Sequence, residues 1–229
     1  MDAIKAPSYR RIYVWELPVR AFHWINGICI LLLGVTGYLI GRPFAVISEQ
    51  EASFQYWFGT VRFLHFAAGY LFLINMLARI YWGFVGNRYA NWKQFIPTRR
   101  KWFTEVADVL RVDVLQTRVQ GKIHIGHNRL AGFIYFLSFW VYGFQALTGF
   151  ALYAAMSPSW IGRAAAAVIP GTWNDMGVRQ WHHAGLWFFV LFTIIHVYLV
   201  FYHDYVEGRG TTSSMVGGWK FEREDYFKS

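Results

Sequence analysis

Four long runs of apolar residues constrain this chain more than any other feature. They fall at about 21–41, 63–85, 130–156 and 184–206 and contain few charges. Each reaches the roughly 20 residues that an α-helix needs to cross a bilayer core. Membrane β-barrels instead alternate polar and apolar residues in segments of about ten. The sequence therefore predicts an all-α integral membrane protein, a four-helix bundle that forms a single membrane domain over 1–229.

The composition excludes several other classes of protein. Only 15% of the residues are charged, against about 25% in soluble globular domains. The single cysteine, Cys29, lies inside the first apolar run. This chain alone therefore builds neither a disulfide framework nor a cysteine-ligated iron–sulfur or zinc site. The first run is full length and lacks a small-residue cleavage site, so we expect it to remain as a helix.

The positive charge is distributed unevenly between the connections. Seventeen basic residues precede the first run, separate the second from the third, or follow the fourth, whereas the other two connections hold four. Basic residues accumulate on the cytoplasmic side of membrane proteins. We therefore predict a multi-pass protein of the bacterial inner membrane with both termini in the cytoplasm. The net charge of +9 is explained in this way without a nucleic acid partner.

The connections differ in length and composition. By this topology, loops 42–62 and 157–181 lie outside the cytoplasm. Within the longest connection, residues 99–118 have apolar side chains at helical spacing, which predicts an amphipathic segment on the cytoplasmic membrane surface. The tail at 207–229 is polar and contains four glycines, so we expect it to be loosely held.

Histidines supply the candidate chemistry. An ionisable side chain inside a membrane is costly, and it usually faces the bundle interior and has a function. The alternative for a single residue such as His196 is an imidazole bonded to a backbone carbonyl. The eight histidines are His23, His65, His124, His127, His182, His183, His196 and His203.

Helical geometry selects among the histidines of the fourth run. His182 and His196 are separated by 14 positions, so they point within about 40° of each other and lie about 21 Å apart along a helix. This separation suits two porphyrins stacked across a bilayer. His183 points about 140° away from His196, so we expect it to be a polar residue at the interface rather than a ligand.

The predicted topology pairs four histidines by depth. His23 begins the first run on the cytoplasmic side, level with His196. His65 begins the second run on the outer side, level with His182. The sequence thus predicts two bis-histidine haem groups in the bundle core, ligated by His23 with His196 and by His65 with His182. The third run contains no histidine and contributes no ligand.

Two glycines follow predicted ligands at helical spacing. Gly27 lies four residues after His23, and Gly69 lies four residues after His65. Each glycine therefore shares the face of its histidine, where a missing side chain lets a flat macrocycle approach the backbone. Close packing of helices through small residues is the alternative.

Two arginines precede predicted ligands by three residues. Arg20 precedes His23, and Arg179 precedes His182. Each lies one turn nearer the interface, where its guanidinium fork can bind a haem propionate. The alternative is that both are simply arginines at the ends of membrane helices.

Two stretches of sequence match a known family. The first is Arg20-Ala-Phe-His23-Trp24, followed by Leu33 and Thr36-Gly37. The second is Arg179-Gln-Trp-His182-His183, followed by Trp187, Phe192 and His196. At these residues the chain resembles the b-type cytochrome subunit of membrane-bound nickel–iron hydrogenases, within the wider group of four-helix dihaem cytochromes.

The resemblance implies a place in a respiratory complex. It implies a subunit that anchors a periplasmic hydrogenase of small and large subunits in the lipid bilayer. This subunit takes electrons from the small subunit and passes them through haem b to a quinone. With one cysteine it is an electron-transfer subunit of a hydrogen:quinone oxidoreductase, not the hydrogen-activating one.

A quinone site needs an apolar slot and polar groups for the two quinone oxygens. The candidates are His127 and Asn128, with His124 beside them, at the cytoplasmic start of the third run. His203 and Asp204 reach the same membrane face and could pass protons. The alternative is that all of these are interface residues bonded to water and lipid headgroups.

Three other functions remain open from the sequence. The chain could be the membrane subunit of a formate dehydrogenase or a related respiratory oxidoreductase. It could be a transporter or channel whose histidines relay protons, although the sequence shows no inverted repeat or interrupted helix. It could also be a haem-free assembly anchor. A reduced-minus-oxidised absorption spectrum separates the haem proteins from the other two classes.

Overall fold

The computed structural model describes residues 8–43, 56–96, 104, 106–107, 129–157, 159–169, 171 and 174–224. A short 3-10 helix, Trp92–Gln94, follows the second long helix. The other elements, in chain order, are β1 (Tyr9–Tyr13), α1 (Leu17–Gly41), α2 (Trp57–Val85), α3 (Arg129–Ala154), α4 (Trp160–Val168), α5 (Asp175–Glu207), α6 (Thr211–Gly217) and β2 (Trp219–Arg223).

Four helices, α1, α2, α3 and α5, are long and apolar enough to cross a membrane. The predicted all-α membrane architecture is confirmed. All four helices begin earlier than predicted, α1 at Leu17, α2 at Trp57, α3 at Arg129 and α5 at Asp175, and the difference is largest for α2 and α5. The predicted starts were placed after Arg62 and Arg179 because they followed the charge-poor runs. A helix needs only satisfied backbone hydrogen bonds, which continue through polar residues beyond the apolar stretch.

The chain divides into two compact units that share the long helices. The first unit comprises Met1–Ala21, Ile80–Leu137 and Ile195–Ser229. The second unit comprises Phe22–Arg79 and Ser138–Ile194. That the whole chain behaves as a single membrane domain stays a prediction.

One buried side chain from each long helix forms the core of the second unit. These residues are Cys29 in α1, Phe72 in α2, Tyr142 in α3 and Phe189 in α5. The rings of Phe72 and Tyr142 lie with their centroids 3.6 Å apart. The Tyr142 hydroxyl donates a hydrogen bond of 2.7 Å to the carbonyl of Phe72, so this buried polar group is satisfied.

The described part of the C-terminal tail, up to residue 224, is not loosely held, and the prediction is wrong for these residues. Strand β2 pairs antiparallel with β1, and Tyr13 lies opposite Trp219. The charged residues Lys220 and Glu222 of this segment are buried. Arg209 lies 3.7 Å from the Glu222 carboxylate, which balances the buried charge. The glycines, which suggested flexibility, include residues that cap α6 on both sides in the left-handed region.

A polar network fixes the segment between β1 and α1. The Glu16 carboxylate accepts hydrogen bonds from the Trp82 indole at 3.0 Å and from the Asn87 backbone at 2.9 Å. Asn87 in turn donates to the carbonyl of Val14 at 3.0 Å. Val14 itself is fully buried. Within the first unit, these hydrogen bonds connect the segment before α1 to the end of α2 and to the residues that follow it.

The predicted amphipathic segment, 99–118, lies almost entirely outside the described residues. Within it, the structure describes only Thr104, Val106 and Ala107, which are helical. The segment therefore stays a prediction.

Substitution of Gly218 should loosen the C-terminal segment. Gly218 has a φ of +85°, and an added Cβ would lie 2.6 Å from Tyr13 Cε2 and 2.7 Å from the Trp15 carbonyl oxygen. The left-handed backbone alone costs an alanine roughly 1–2 kcal/mol. We expect Gly218→Ala to accelerate proteolysis of the C-terminal segment in detergent, as measured by mass spectrometry of the fragments.

Gly217 provides the matched control. An added Cβ there meets nothing within 4 Å, and its φ is not positive. Gly217→Ala should therefore keep the parent rate of cleavage. Equal rates for the two variants would contradict the role assigned to Gly218.

Candidate functional site

Two imidazoles from different long helices face each other in the second unit. His65 lies on α2 and His182 on α5. Their ring centroids are 6.5 Å apart, and the ring planes are inclined at 78°. Among the described residues, no group of three or more His, Cys, Asp or Glu side chains could hold a metal ion. The pair can therefore supply two ligands, not a full protein-built metal site.

A threonine hydroxyl contacts each imidazole. Thr36 Oγ1 lies 2.9 Å from His65 Nδ1, and Thr148 Oγ1 lies 2.9 Å from His182 Nδ1. The same hydroxyls donate hydrogen bonds to the carbonyls four residues earlier, at 2.5 Å for Thr36 and 2.8 Å for Thr148. Each histidine is thus connected through a threonine to the backbone of a neighbouring helix.

A glycine follows each of these threonines and lies against the same ring. A Cβ added at Gly37 would lie 3.2 Å from His65 Cε1, and one at Gly149 would lie 3.1 Å from His182 Cε1. We call each Thr-Gly pair and the space it leaves a Thr-Gly socket. The first socket is Thr36-Gly37 on α1, and the second is Thr148-Gly149 on α3.

Two other glycines were predicted from the sequence to lie against a macrocycle. Added Cβ atoms at Gly27 and Gly69 meet nothing within 4 Å, so their contact with a macrocycle stays a prediction. The glycines that touch the histidine rings lie instead on the facing helices. The recurrence of a Thr-Gly pair in the first and third apolar runs was the available signal for them.

His183 points to a different helix from His182. A Cβ added at Gly41 would lie 2.1 Å from His183 Cε1, so this ring lies against the end of α1. On the other side, Gln145 of α3 donates a hydrogen bond of 3.0 Å to the His182 carbonyl. The two adjacent histidines therefore have separate surroundings.

The arginines make contacts of their own. Arg179 Nε bonds the Asp175 carboxylate at 2.8 Å at the exposed start of α5. In the first unit, Arg20 donates to the carbonyl of Val216. Arg62, which the sequence analysis missed, also precedes a histidine of the pair by three residues, and its guanidinium lies 5.9 Å from the Phe66 ring. The sequence signal for Arg62 was its position three residues before His65, the same interval that separates Arg179 from His182.

The remaining predicted site residues are described one unit at a time or lie outside the described residues. His23 belongs to the second unit, where its ring meets Trp24 edge-on at 5.2 Å. His196 belongs to the first unit. Their pairing therefore stays a prediction. His127 and Asn128 lie outside the described residues.

Comparison with known proteins gives consistent relatives. One from Azotobacter chroococcum mcd 1, named a probable Ni/Fe-hydrogenase B-type cytochrome subunit, is 42% identical over 96% of this chain and 93% of its own length. One of the same name from Cupriavidus necator is 39% identical over 93% of this chain and 88% of its own length. A probable Ni/Fe-hydrogenase 1 B-type cytochrome subunit from Escherichia coli K12 is 36% identical over 91% of this chain and 90% of its own length.

A family model agrees with these relatives. The model for prokaryotic cytochrome b561 matches residues 14–218. This range includes all four long helices and the short helix α6. The resemblance stated from the sequence motifs is confirmed, and haem b is the cofactor that a b-type cytochrome carries. The chain belongs to the prokaryotic cytochrome b561 family.

Proposed function

We propose that this chain is the membrane anchor and electron carrier of a hydrogenase complex. It takes electrons from the small subunit of a periplasmic nickel–iron hydrogenase and delivers them through haem b to the quinone pool of the bacterial inner membrane. The facing imidazoles of His65 and His182 carry this proposal. The names of the relatives favour a hydrogenase over a formate dehydrogenase as the electron donor.

The spacing of the pair fits one iron between two imidazoles. Two metal–imidazole bonds of about 2 Å each hold the ligand nitrogens about 4 Å apart, which brings the ring centres to roughly 6 to 6.5 Å. The observed separation of the ring centroids is 6.5 Å. Haem b supplies a one-electron carrier when it is bound. His65 and His182 would hold the haem iron through their imidazoles, and ligation by two protein side chains would suit electron transfer rather than catalysis.

Arginines beside the pair are suited to the haem propionates. Arg62 and Arg179 each lie one helical turn before a ligand, on α2 and α5. A guanidinium presents a planar fork of donors that matches a carboxylate. Arg20 takes the corresponding place before His23, although its guanidinium also donates to the end of α6.

A second haem b, ligated by His23 and His196, is proposed nearer the cytoplasmic side of the membrane. The support is the 14-residue spacing of His182 and His196 on one continuous helix, α5. Because α5 runs unbroken from Asp175 to Glu207, the angular relation assumed in the sequence analysis applies along its length.

The orientation is proposed from charge. Pairing of β1 with β2 supports termini on one side of the membrane, as four spans require. The excess of basic residues assigns that side to the cytoplasm. Loops 42–62 and 157–181 then face the hydrogenase. The latter includes α4, whose Trp160 is 73% exposed, and a large exposed apolar side chain is suited to contact with a partner.

A quinone site is proposed at the cytoplasmic end, with His127 and Asn128 as the polar groups. His203 and Asp204 were candidates for passing protons to it. The Asp204 carboxylate accepts a hydrogen bond from the backbone of Thr211, where it supports the start of α6. Both residues stay candidates for passing protons.

Substitution of the ligands should remove haem selectively. His65→Ala and His182→Ala should each lose one haem per chain, because a six-coordinate iron held by two side chains loses half of its protein ligands. His196→Ala should lose the other haem. His183→Ala is the matched control and should keep both, since its ring lies against Gly41. Pyridine haemochrome assays of the purified variants measure the content, and equal loss from His183→Ala would overturn the assignment.

Filling a Thr-Gly socket should also displace a ligand. Gly149→Val adds branched atoms where even a Cβ lies only 3.1 Å from His182 Cε1, so we expect haem content to fall and Gly149→Ala to have a smaller effect. Gly143→Ala on the same helix is the control, because a Cβ there meets nothing within 4 Å. Unchanged haem content in Gly149→Val would show that the ring does not need this space.

A fusion tests the orientation independently of haem. A reporter that is active only in the periplasm should stay inactive when fused after Ser229, and a cytoplasmic reporter should be active there. A reporter inserted after Pro43 should behave in the opposite way. Periplasmic activity of the C-terminal fusion would invert the topology and exchange the sides assigned to the hydrogenase and the quinone.

A further inference from the structure

The geometry points to a specific role for the threonines of the two Thr-Gly sockets. We infer that Thr36 and Thr148 are positioning residues that fix the tautomer of His65 and His182 and lower the reduction potential of the haem these histidines hold. The inference rests on the proposed function, because it concerns the iron ligated by this pair.

The hydrogen bonds of the two threonines determine the tautomer of the His65 and His182 imidazoles. A threonine hydroxyl has a single proton to donate. Thr36 donates it to the Leu32 carbonyl at 2.5 Å, and Thr148 donates it to the Phe144 carbonyl at 2.8 Å. The 2.9 Å contacts with the imidazoles then place the proton on each Nδ1, with the threonine oxygen as acceptor. The backbone carbonyl of Leu33 is a further acceptor for the His65 imidazole.

The consequence is the same on both rings. A neutral imidazole carries one proton, so a protonated Nδ1 leaves the Nε2 lone pair available. In both sockets the glycine lies under the adjacent Cε1, at 3.2 Å for Gly37 and 3.1 Å for Gly149 if a Cβ is added. The Nδ1–Cε1 edge of each ring is therefore held by the socket, and Nε2 is the ligand nitrogen.

The same hydrogen bond changes the donor strength of the ligand. An acceptor at Nδ1–H raises the basicity of a metal-bound imidazole. A more basic ligand stabilises ferric iron more than ferrous iron, and so it lowers the potential of the couple. Because the two sockets act on the two axial ligands of one iron, their effects have the same sign.

The test removes the hydroxyls while keeping side-chain volume. Thr36→Val, Thr148→Val and the double variant are compared with the parent by redox titration of the purified protein. We expect the midpoint potential of one haem to rise in each single variant and to rise further in the double variant. Thr36→Ser and Thr148→Ser restore the hydroxyl and should return the potential to the parent value.

Thr60→Val is the matched control. The Thr60 hydroxyl donates to the carbonyl four residues earlier, at Tyr56, with a length of 3.1 Å, as the socket threonines do. Its described hydrogen bonds do not include a histidine. The control variant should therefore keep the parent potential, and it measures any general effect of removing a hydroxyl from a membrane helix.

Each outcome bears on the inference. The inference is overturned if Thr36→Val and Thr148→Val keep haem and its midpoint potential equals that of the Thr60→Val control. If a Val variant loses haem, retention of haem in the corresponding Ser variant supports the inference, and loss in both overturns it. If His65 and His182 variants keep the haem of the parent protein, the proposed ligands are wrong. If these histidines are confirmed as ligands but the threonine variants keep the parent midpoint potential, only the role of the threonines is overturned.

Discussion

Everything at the candidate site depends on keeping two uncharged imidazoles satisfied inside an apolar helix bundle. A buried polar group without a partner costs about 1–3 kcal/mol in proteins. Here each imidazole meets a threonine, and each threonine passes its own proton to a helix carbonyl. The hydrogen bonds therefore end in the backbone, and no charged side chain is needed. In the described part of the second unit, the only carboxylate is Asp175, which is bonded to Arg179.

The spans could be predicted from sequence because each follows from a run of apolar residues along a single helix, and the approach of His65 to His182 could be predicted because the order of the spans sets the depth of both residues. A run of apolar residues gives a span, and a 14-residue interval gives an angle. The Thr-Gly sockets could not be found in this way. They depend on which helix faces which, as when Gly37 of α1 meets His65 of α2. The glycines that were selected share a helix with their histidines, since that is the only relation a spacing argument can use.

The first unit was predicted poorly for a different reason. The polar, glycine-containing tail was expected to be loosely held, yet Glu222 is 1% exposed beside Arg209. Composition does not show whether a charge has a partner, and partnered charges can be buried. The partner of β2 is also remote, because Ser8 and Glu224 are 216 positions apart. No local pattern records a strand pair at that separation.

That remoteness has a consequence for biogenesis. Strand β1 leaves the ribosome before the four spans and β2 leaves it after them, so β1 waits with an open edge while all four spans enter the bilayer. An open edge is prone to pair with other chains. If one span fails to insert, the two ends of the polypeptide lie on opposite faces of the bilayer and the ladder does not form. Closure of β1 on β2 therefore requires that all four spans have been inserted.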